Sequence, residues 1–159
     1  MEAKEIHETL KGRLPEAVLE FRTDTMDPII VIEPAHIQAV VTFLRDDPAL
    51  RFEMLQLVTG VDWRDRFEVV YHLTSLTHGH RIALKAVLPH DNPHIASVAG
   101  IFPTANWHER ETYDLMGIVF DGHPDPRRIF MPDDWEGHPL RKDYVFPDAY
   151  HGIPGNFEG

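Results

Sequence analysis

The distribution of proline and glycine divides the chain into two regions of unlike character. Residues 121–159 contain 6 prolines and 5 glycines and show little strand or helix periodicity. Proline removes a backbone donor and glycine weakens regular elements, so this stretch is expected to be mostly irregular backbone. Residues 1–120 carry regular apolar periodicities instead. We therefore predict one α+β domain over residues 1–120 and a Pro/Gly-rich C-terminal extension over residues 121–159.

The apolar pattern of the first region alternates between helix and strand periods. Residues 3–10 have helical spacing, and Gly12 is placed to end that helix. The alternating residues 19–22 and the apolar run Ile29–Ile32 flank a turn, which predicts a hairpin. Pro34 suits the first turn of a second helix, whose apolar stripe extends to Leu44.

Three further strands are predicted at residues 54–61, 67–75 and 81–88, joined by short turns. In the last of them Ile82, Leu84, Ala86 and Leu88 alternate with Arg81, Ala83, Lys85 and Val87, as in a sheet with one fully buried face. The resulting fold class is α+β, with a mainly antiparallel sheet and helices on one face. The short connections and the lack of a glycine-rich phosphate loop argue against a doubly wound nucleotide-binding fold.

Composition excludes several classes of function. The chain has no cysteine, so it has no disulfide, thiolate nucleophile or Cys-ligated iron–sulfur cluster. Its 15 Lys+Arg against 26 Asp+Glu, a formal net charge of −11, argue against binding to nucleic acid or to anionic lipid. The apolar runs are too short to span a bilayer and the N-terminus has no signal-peptide pattern, so we expect membrane contact only through partners.

A short helix is predicted over residues 107–116, with Gly117 at its end. Thr104 and Asn106 are both suitable N-cap residues, and Glu109 is placed for a capping box with Asn106. Helical spacing puts Trp107, Arg110, Glu111 and Asp114 on one face. Spacing alone favours a solvated face with a weak i, i+4 ion pair between Arg110 and Asp114. A zinc-protease site is excluded because the second histidine it needs, four residues after His108, is replaced by Thr112. A catalytic pair of carboxylates is also disfavoured, because Glu109 and Glu111 point to opposite sides of the helix.

Histidines offer a second class of function. The pairs His78 with His80 and His90 with His94 could ligate zinc or nickel. Both pairs lie in predicted turns, where exposed histidine commonly binds no metal. A free-standing histidine metalloenzyme is therefore a remote alternative.

Three blocks of sequence carry a more specific signal. They are ERETYDLMG at residues 109–117, FDGHPDPRRI at 120–129 and EGHPLRKDY at 136–144. In this order and spacing they resemble the signature of the 30 kDa subunit of respiratory complex I, the C subunit of bacterial NADH:quinone oxidoreductase, which is similar to the J subunit of the chloroplast enzyme. Phe130 departs from the smaller aliphatic residue expected there.

The resemblance implies a cofactor-free peripheral-arm subunit of a proton-translocating NADH:quinone oxidoreductase, with no catalytic residues of its own. It implies that FMN, iron–sulfur clusters, NADH and quinone are bound by other subunits. The implied partners are the 49 kDa-type quinone-site subunit and the iron–sulfur subunits, which this chain would brace. The resemblance also implies that the extension, residues 121–159, docks on these partner subunits. The implied location is peripheral, on the cytoplasmic face of the cell inner membrane. An equivalent scaffold in a membrane-bound hydrogenase or a ferredoxin-driven dehydrogenase is the alternative.

The resemblance also implies a set of interface or motif residues, with no catalytic, cofactor or metal residue among them. Charges in the extension are expected to pair across an interface, and aromatic residues to anchor it. The large apolar groups at positions 129, 130, 140, 146, 150 and 157 argue against a solvated tail. The predicted site residues are Trp107, Glu109, Arg110, Glu111, Asp114, His123, Arg127, Arg128, Trp135, His138, Pro139, Arg141, Lys142, Asp143 and Tyr144.

Overall fold

The computed structural model describes residues 1–155. Three α-helices and nine strands follow one another along this part of the chain. No helix among these residues has the length and apolarity needed to cross a membrane. In chain order the elements are α1 (Ala3–Arg13), β1 (Val18–Arg22), β2 (Ile29–Ile32), α2 (Ile37–Asp46), β3 (Met54–Asp62), β4 (Arg66–Thr74), β5 (Arg81–Pro89), β6 (His94–Ala96), α3 (Ala105–Met116), β7 (Val119–Asp121), β8 (Ala149–Tyr150) and β9 (Ile153–Pro154).

The main sheet has five strands in the order β1-β2-β5-β4-β3. Its β1–β2, β4–β5 and β3–β4 pairs are antiparallel, and β2 runs parallel to β5. The predicted fold class is therefore confirmed. The parallel β2–β5 pair was not predicted, because the prediction used only the short connections between consecutive strands. The position at which the β1–β2 hairpin joins the sheet depends on tertiary packing.

One face of the sheet forms the core. Ile82, Leu84, Ala86 and Leu88 are each at most 3% exposed, as their alternation predicts. They pack in one cluster with the apolar stripes of α1 and α2. Burial of each large aliphatic side chain contributes about 1.5–3 kcal/mol, so this face dominates the stability of the fold.

The third helix packs against the edge strand β3. Gly60 makes the close approach possible, because a Cβ there would lie 2.8–2.9 Å from side-chain atoms of Thr112, Met116 and Ile118. Two side chains at the start of this helix also bond the backbone of β3. Thr104 Oγ1 donates to Leu55 O at 3.1 Å, and Val58 N–H donates to His108 Nδ1 at 3.4 Å. The helix is thereby fixed against the sheet.

Several local expectations differ from the structure. The first helix continues through Gly12 and ends at Arg13, where Leu14 N–H still bonds Leu10 O. Pro34 begins a 3₁₀ turn, Pro34–His36, and the α-helix starts only at Ile37. The parallel pair β6–β7 was missed because strands of three residues leave almost no periodicity to detect.

Candidate functional site

The first sequence block forms α3, and its charged residues point in different directions. Glu109, Arg110 and Asp114 are buried, whereas Trp107 and Glu111 are exposed. The expected solvated Arg110–Asp114 pair is therefore wrong, although Trp107 and Glu111 of the same predicted face are exposed. Within residues 1–155, Arg110 and Asp114 form ion pairs with other partners and not with each other.

Asp114 is the anchor of the extension. Its Oδ2 accepts the backbone N–H groups of residues 129, 130 and 131 at 3.0, 2.7 and 3.0 Å. Its Oδ1 pairs with Arg128 Nη1 at 3.1 Å. Burial opposes ionisation of this carboxyl, but the three N–H donors and the Arg128 guanidinium outweigh it and hold the pKa of Asp114 below its ordinary value. A fully buried carboxylate thus folds the second block onto the first.

Arg110 holds the same segment from the other side. Its Nε donates to Arg127 O at 3.0 Å and its Nη2 to Arg128 O at 3.4 Å. Its Nη1 lies 3.7 Å from Asp125 Oδ2. The guanidinium also stacks over the ring of Trp107, 4.6 Å from the ring centroid. The planar guanidinium donates to two carbonyl groups while its face stacks on the indole, a geometry that a lysine ammonium does not reproduce.

Glu109 lies deeper, between the helix and the loop after β6. Its Oε2 accepts the Ser97 hydroxyl at 2.5 Å and its Oε1 accepts Val98 N–H at 2.8 Å. The expected capping box with Asn106 is therefore wrong, and α3 begins earlier, with Thr104 as its N-cap. Burial raises the pKa of Glu109 to about 7, although both hydrogen bonds oppose the shift.

His123 packs beside this carboxyl. Its Nε2 lies 3.8 Å from Glu109 Oε2. The ring bonds the backbone at both nitrogens, with Nδ1 accepting Asp125 N–H at 2.9 Å and Nε2 3.0 Å from Asn106 O. These contacts assign a neutral ring with the proton on Nε2. Ser97 donates to the carboxylate and not to the imidazole, so the three side chains do not have the hydrogen-bond order of a Ser–His–acid triad.

The third block packs against the end of α3. His138 Nδ1 bonds Asp114 O at 3.0 Å, and its ring lies over Gly117. Gly117 ends the helix with φ +74°, as its position predicts. Arg128 Nη2 donates to Gly137 O at 2.9 Å, which connects the second block to the third. The three blocks that lie apart in sequence thus form one hydrogen-bonded unit, the motif latch, made of α3 with residues 123–131 and 136–144.

The end of the third block reaches the sheet. Lys142 N–H donates to Asp62 Oδ2 at 2.8 Å. Arg141 Nη2 donates to His90 O at 3.0 Å, and its guanidinium lies 5.0 Å from the ring centroid of Phe67. Asp62 was missed as a site residue, and His90 was considered only as a metal ligand. Nothing in their local sequence links them to a segment about 50–80 positions away.

The aromatic residues of the extension form a second group. Trp135 Nε1 donates to Tyr144 OH at 2.9 Å, and the Trp135 ring lies 5.0 Å from that of Tyr150. Tyr144 OH bonds Glu136 O at 3.3 Å. Trp135 and Tyr144 are therefore half-buried within the chain.

Other apolar side chains of the extension face outward. Phe130 is 64% exposed and Phe146 is 60% exposed, and Leu140 and Val145 are also exposed. Of the charged residues predicted at an interface, Arg127 and Asp143 point outward with side chains 75% and 62% exposed. Pro139 is half-buried, and Phe157 lies outside the described residues. We call Phe130, Leu140, Val145 and Phe146 the apolar ridge.

The two histidine pairs were considered only as a remote alternative for metal binding, and the side chains of the first pair bond backbone carbonyl groups. His78 Nε2 bonds Pro48 O at 3.0 Å and His80 Nε2 bonds Leu50 O at 2.6 Å. Within residues 1–155, the one group with ligand atoms close enough for a cation is Asp62, His90 and Asp143, within 4.8 Å of one another. Two backbone N–H groups already bond Asp62, so this cluster is accounted for by the contacts of the third block.

A family comparison matches this architecture. The sequence model of the family described as "Respiratory-chain NADH dehydrogenase, 30 Kd subunit" matches residues 30–150. The chain belongs to this family. The matched range includes the whole motif latch, so the predicted resemblance is confirmed.

Curated relatives in this family are named as the C subunit of NADH-quinone oxidoreductase. The chain is 51% identical to that of Roseiflexus sp. (strain RS-1) over 142 residues, 86% of this chain and 80% of the relative. It is 46% identical to that of Saccharopolyspora erythraea over 153 residues, which are 94% of this chain and 60% of the relative. With the Chloroherpeton thalassium protein, 45% identity extends over 92% of this chain and 62% of the relative. The chain thus spans less than two thirds of these last two relatives.

Two solved structures share the fold of this member of the 30 kDa family. The trypsin-resistant fragment 1–134 of Nqo5 superposes with a TM-score of 0.64 at 26% identity, covering 79% of this chain and 99% of the fragment. A chain of the membrane-bound sulfane sulfur reductase, an archaeal respiratory membrane complex, gives a TM-score of 0.74 at 25% identity, covering 91% of this chain and 86% of that chain.

Proposed function

We propose that the chain is a non-catalytic, peripheral-arm subunit of a proton-translocating NADH:quinone oxidoreductase of the complex I type. It braces the 49 kDa-type quinone-site subunit and the iron–sulfur subunits while electrons pass from NADH to quinone. Membership in the 30 kDa family supports this role, as do the names of the relatives. In this proposal the chain binds no cofactor and sits on the cytoplasmic face of the inner membrane through its partners.

The apolar ridge is the observation that carries the bracing role. Phe130 lies in the segment whose backbone N–H groups bond Asp114. Leu140 N–H bonds the carbonyl oxygen of Leu115, the residue after Asp114, at 2.8 Å. Buried polar contacts thus fix the backbone while large apolar side chains face outward. Exposed apolar groups on a fixed backbone lose little entropy on docking and mark an interaction surface. We therefore propose that residues 121–159 dock on partner subunits and residues 1–120 form the supporting domain.

A second candidate function rests on the archaeal respiratory complex. That structure shares the fold over 91% of this chain. The same type of scaffold could therefore brace an assembly with a different electron donor, such as a hydrogenase or a ferredoxin-driven dehydrogenase. Mass spectrometry of the purified assembly separates the two candidates, because NADH oxidation requires flavin-bearing partner subunits.

The test of the proposed function is purification of the tagged chain from its native membranes. We expect quinone-site and iron–sulfur subunits to co-purify in stoichiometric amounts. Recovery of the chain alone would refute the proposal. The double variant F130S/F146S should lower the yield of assembled complex at least fivefold while leaving the unfolding midpoint of the isolated chain nearly unchanged, because both side chains are already exposed.

The matched control is Leu76→Ser, which removes a side chain 68% exposed in the turn between β4 and β5, away from the apolar ridge. It should leave complex yield within twofold of the unaltered chain. Equal losses of assembled complex in L76S and F130S/F146S would show that any exposed apolar side chain affects the yield, whatever its position. That result would contradict a specific docking role for the apolar ridge.

A further inference from the structure

A large groove lies on the domain and is lined by none of the residues of the motif latch. Its volume is about 590 Å³, and it runs between the end of β5 and the small β6–β7 sheet. The groove exists because β2 pairs with β5 only as far as Ile32, opposite Ala86, after which the chain leaves the sheet at Pro34. The last residues of β5, through Pro89, therefore have no neighbouring strand from β2. We call this the β5 groove.

The lining of the β5 groove is mostly apolar. Leu19 and Val87 stand in it 57% and 38% exposed, and Ile95 and Ala96 form part of the opposite wall. Aliphatic side chains gathered in one concave surface are typical of a binding site rather than of scattered surface residues. The volume falls within the roughly 300–1,000 Å³ of ordinary ligand pockets, which leaves room for several aliphatic side chains.

The charges of the groove are of one sign. Glu33 and Asp121 lie among its lining residues, and Asp121 Oδ1 bonds His94 Nδ1 at 2.9 Å. None of the described residues that line the groove is a lysine or an arginine. Complementary charge selects partners, whereas like charges facing each other cost several kcal/mol. A second copy of this chain, with net charge −11 and the same acidic rim, is therefore a poor occupant.

We propose that the β5 groove binds a segment of a partner subunit that presents aliphatic side chains flanked by lysine or arginine. The aliphatic groups fill the apolar floor, and the cations pair with Glu33 and Asp121 at the rim. The groove gives the chain a second contact, separate from the apolar ridge. This inference rests on the proposed function, because it requires the chain to sit in a multi-subunit assembly.

The test places a photocrosslinking amino acid, p-benzoylphenylalanine, at Val87 of the chain in the assembled complex. We expect an adduct with a peptide of another subunit that contains aliphatic residues and at least one lysine or arginine. The same crosslinker at Met26, which is fully exposed and outside the groove, is the position control and should give at most one tenth of the adduct.

Charge reversal provides the second arm. E33K/D121K should lower the Val87 adduct at least fivefold, whereas E8K/E16K, with the same change of charge at exposed positions outside the groove, should leave it within twofold. If E33K/D121K fails to fold, E33K alone is used, and it should lower the adduct at least twofold. Equal losses in the groove and control variants would overturn the charge argument.

Three further outcomes overturn the inference. They are the absence of an adduct at Val87, an adduct with an acidic peptide, and an adduct with a second copy of this chain. If the chain co-purifies with its partners in any of these cases, the proposed function stands and only the groove assignment fails. If the chain is recovered without partners, the proposed function itself has failed.

Discussion

Glu109 offers the most direct quantitative test of the site, through the change Glu109→Gln. Its carboxyl is fully buried, and burial raises its pKa from 4.5 to about 7. The folded chain therefore retains a proton that the unfolded chain releases between pH 4.5 and pH 7. Stability contributed by the protonated form is complete below pH 4.5 and is lost as the pH rises toward 7. A pKa difference of about 2.5 between the folded and unfolded chains corresponds to roughly 3 kcal/mol of lost stability above pH 7.

Glutamine has nearly the shape of the protonated carboxyl and does not titrate. The difference in unfolding free energy between E109Q and the unaltered chain should therefore grow with pH, in favour of the variant. Linkage gives about 1.3 kcal/mol of growth between pH 6 and pH 8 for these pKa values. Any constant cost of rearranging the bonds to Ser97 and Val98 cancels in this comparison.

The assay is urea denaturation of both chains at pH 6, 7 and 8, followed by far-UV circular dichroism. Glu111→Gln is the matched control, because Glu111 lies two positions away on the same helix and is exposed. Its difference from the unaltered chain should stay constant with pH. A constant difference for E109Q as well would refute the reasoning, since it would mean that Glu109 is ionised in the folded chain throughout this range.

Three further substitutions test the packing around α3. Asp114→Asn removes the carboxylate that pairs with Arg128 and should lower the free energy of unfolding, measured by urea denaturation, by about 3 kcal/mol. The variant should also be cleaved faster by trypsin after Arg128, and an unchanged cleavage rate would contradict the role of Asp114 as the anchor. Gly117→Ala puts a Cβ 2.5 Å from the ring of His138 at φ +74°, so we expect a loss of at least ~1 kcal/mol, with wild-type stability as the contrary result. Gly60→Ala should cost roughly 1–3 kcal/mol by separating α3 from β3, measured by the thermal midpoint, and an unchanged midpoint would disprove the close packing.

The motif latch changes the meaning of the sequence signature. Arg128 and Arg110 were expected at a partner interface, yet their guanidinium groups bond carbonyl and carboxylate groups of this chain. Reversing their charge would release the extension as well as alter an interface. Arg127, whose side chain is 75% exposed and pairs with Asp125, is the better probe of partner contacts. The interface role of these residues stays a prediction.

The sequence by itself determined the fold class and the order of the longer elements, from α1 to β5 and then α3. Hydrophobic periodicity is a local property, so the alternation in β5 and the apolar stripe of α2 predicted their elements and buried faces. Gly117 likewise ended its helix as expected, because a residue with positive φ there needs no distant partner. The order of the three sequence blocks was also sufficient to identify the family.

Only the tertiary structure decided what the charged residues bond. Asp114 finds its N–H donors 15–17 positions further along the chain, and Asp62 finds Lys142 N–H 80 positions away. Helical spacing predicts which side chains share a face, but it does not predict which irregular segment packs over that face. Spacing therefore favoured a solvated Arg110–Asp114 pair, whereas the fold buried both residues and turned them toward the extension, because a buried charge requires partners that water no longer supplies.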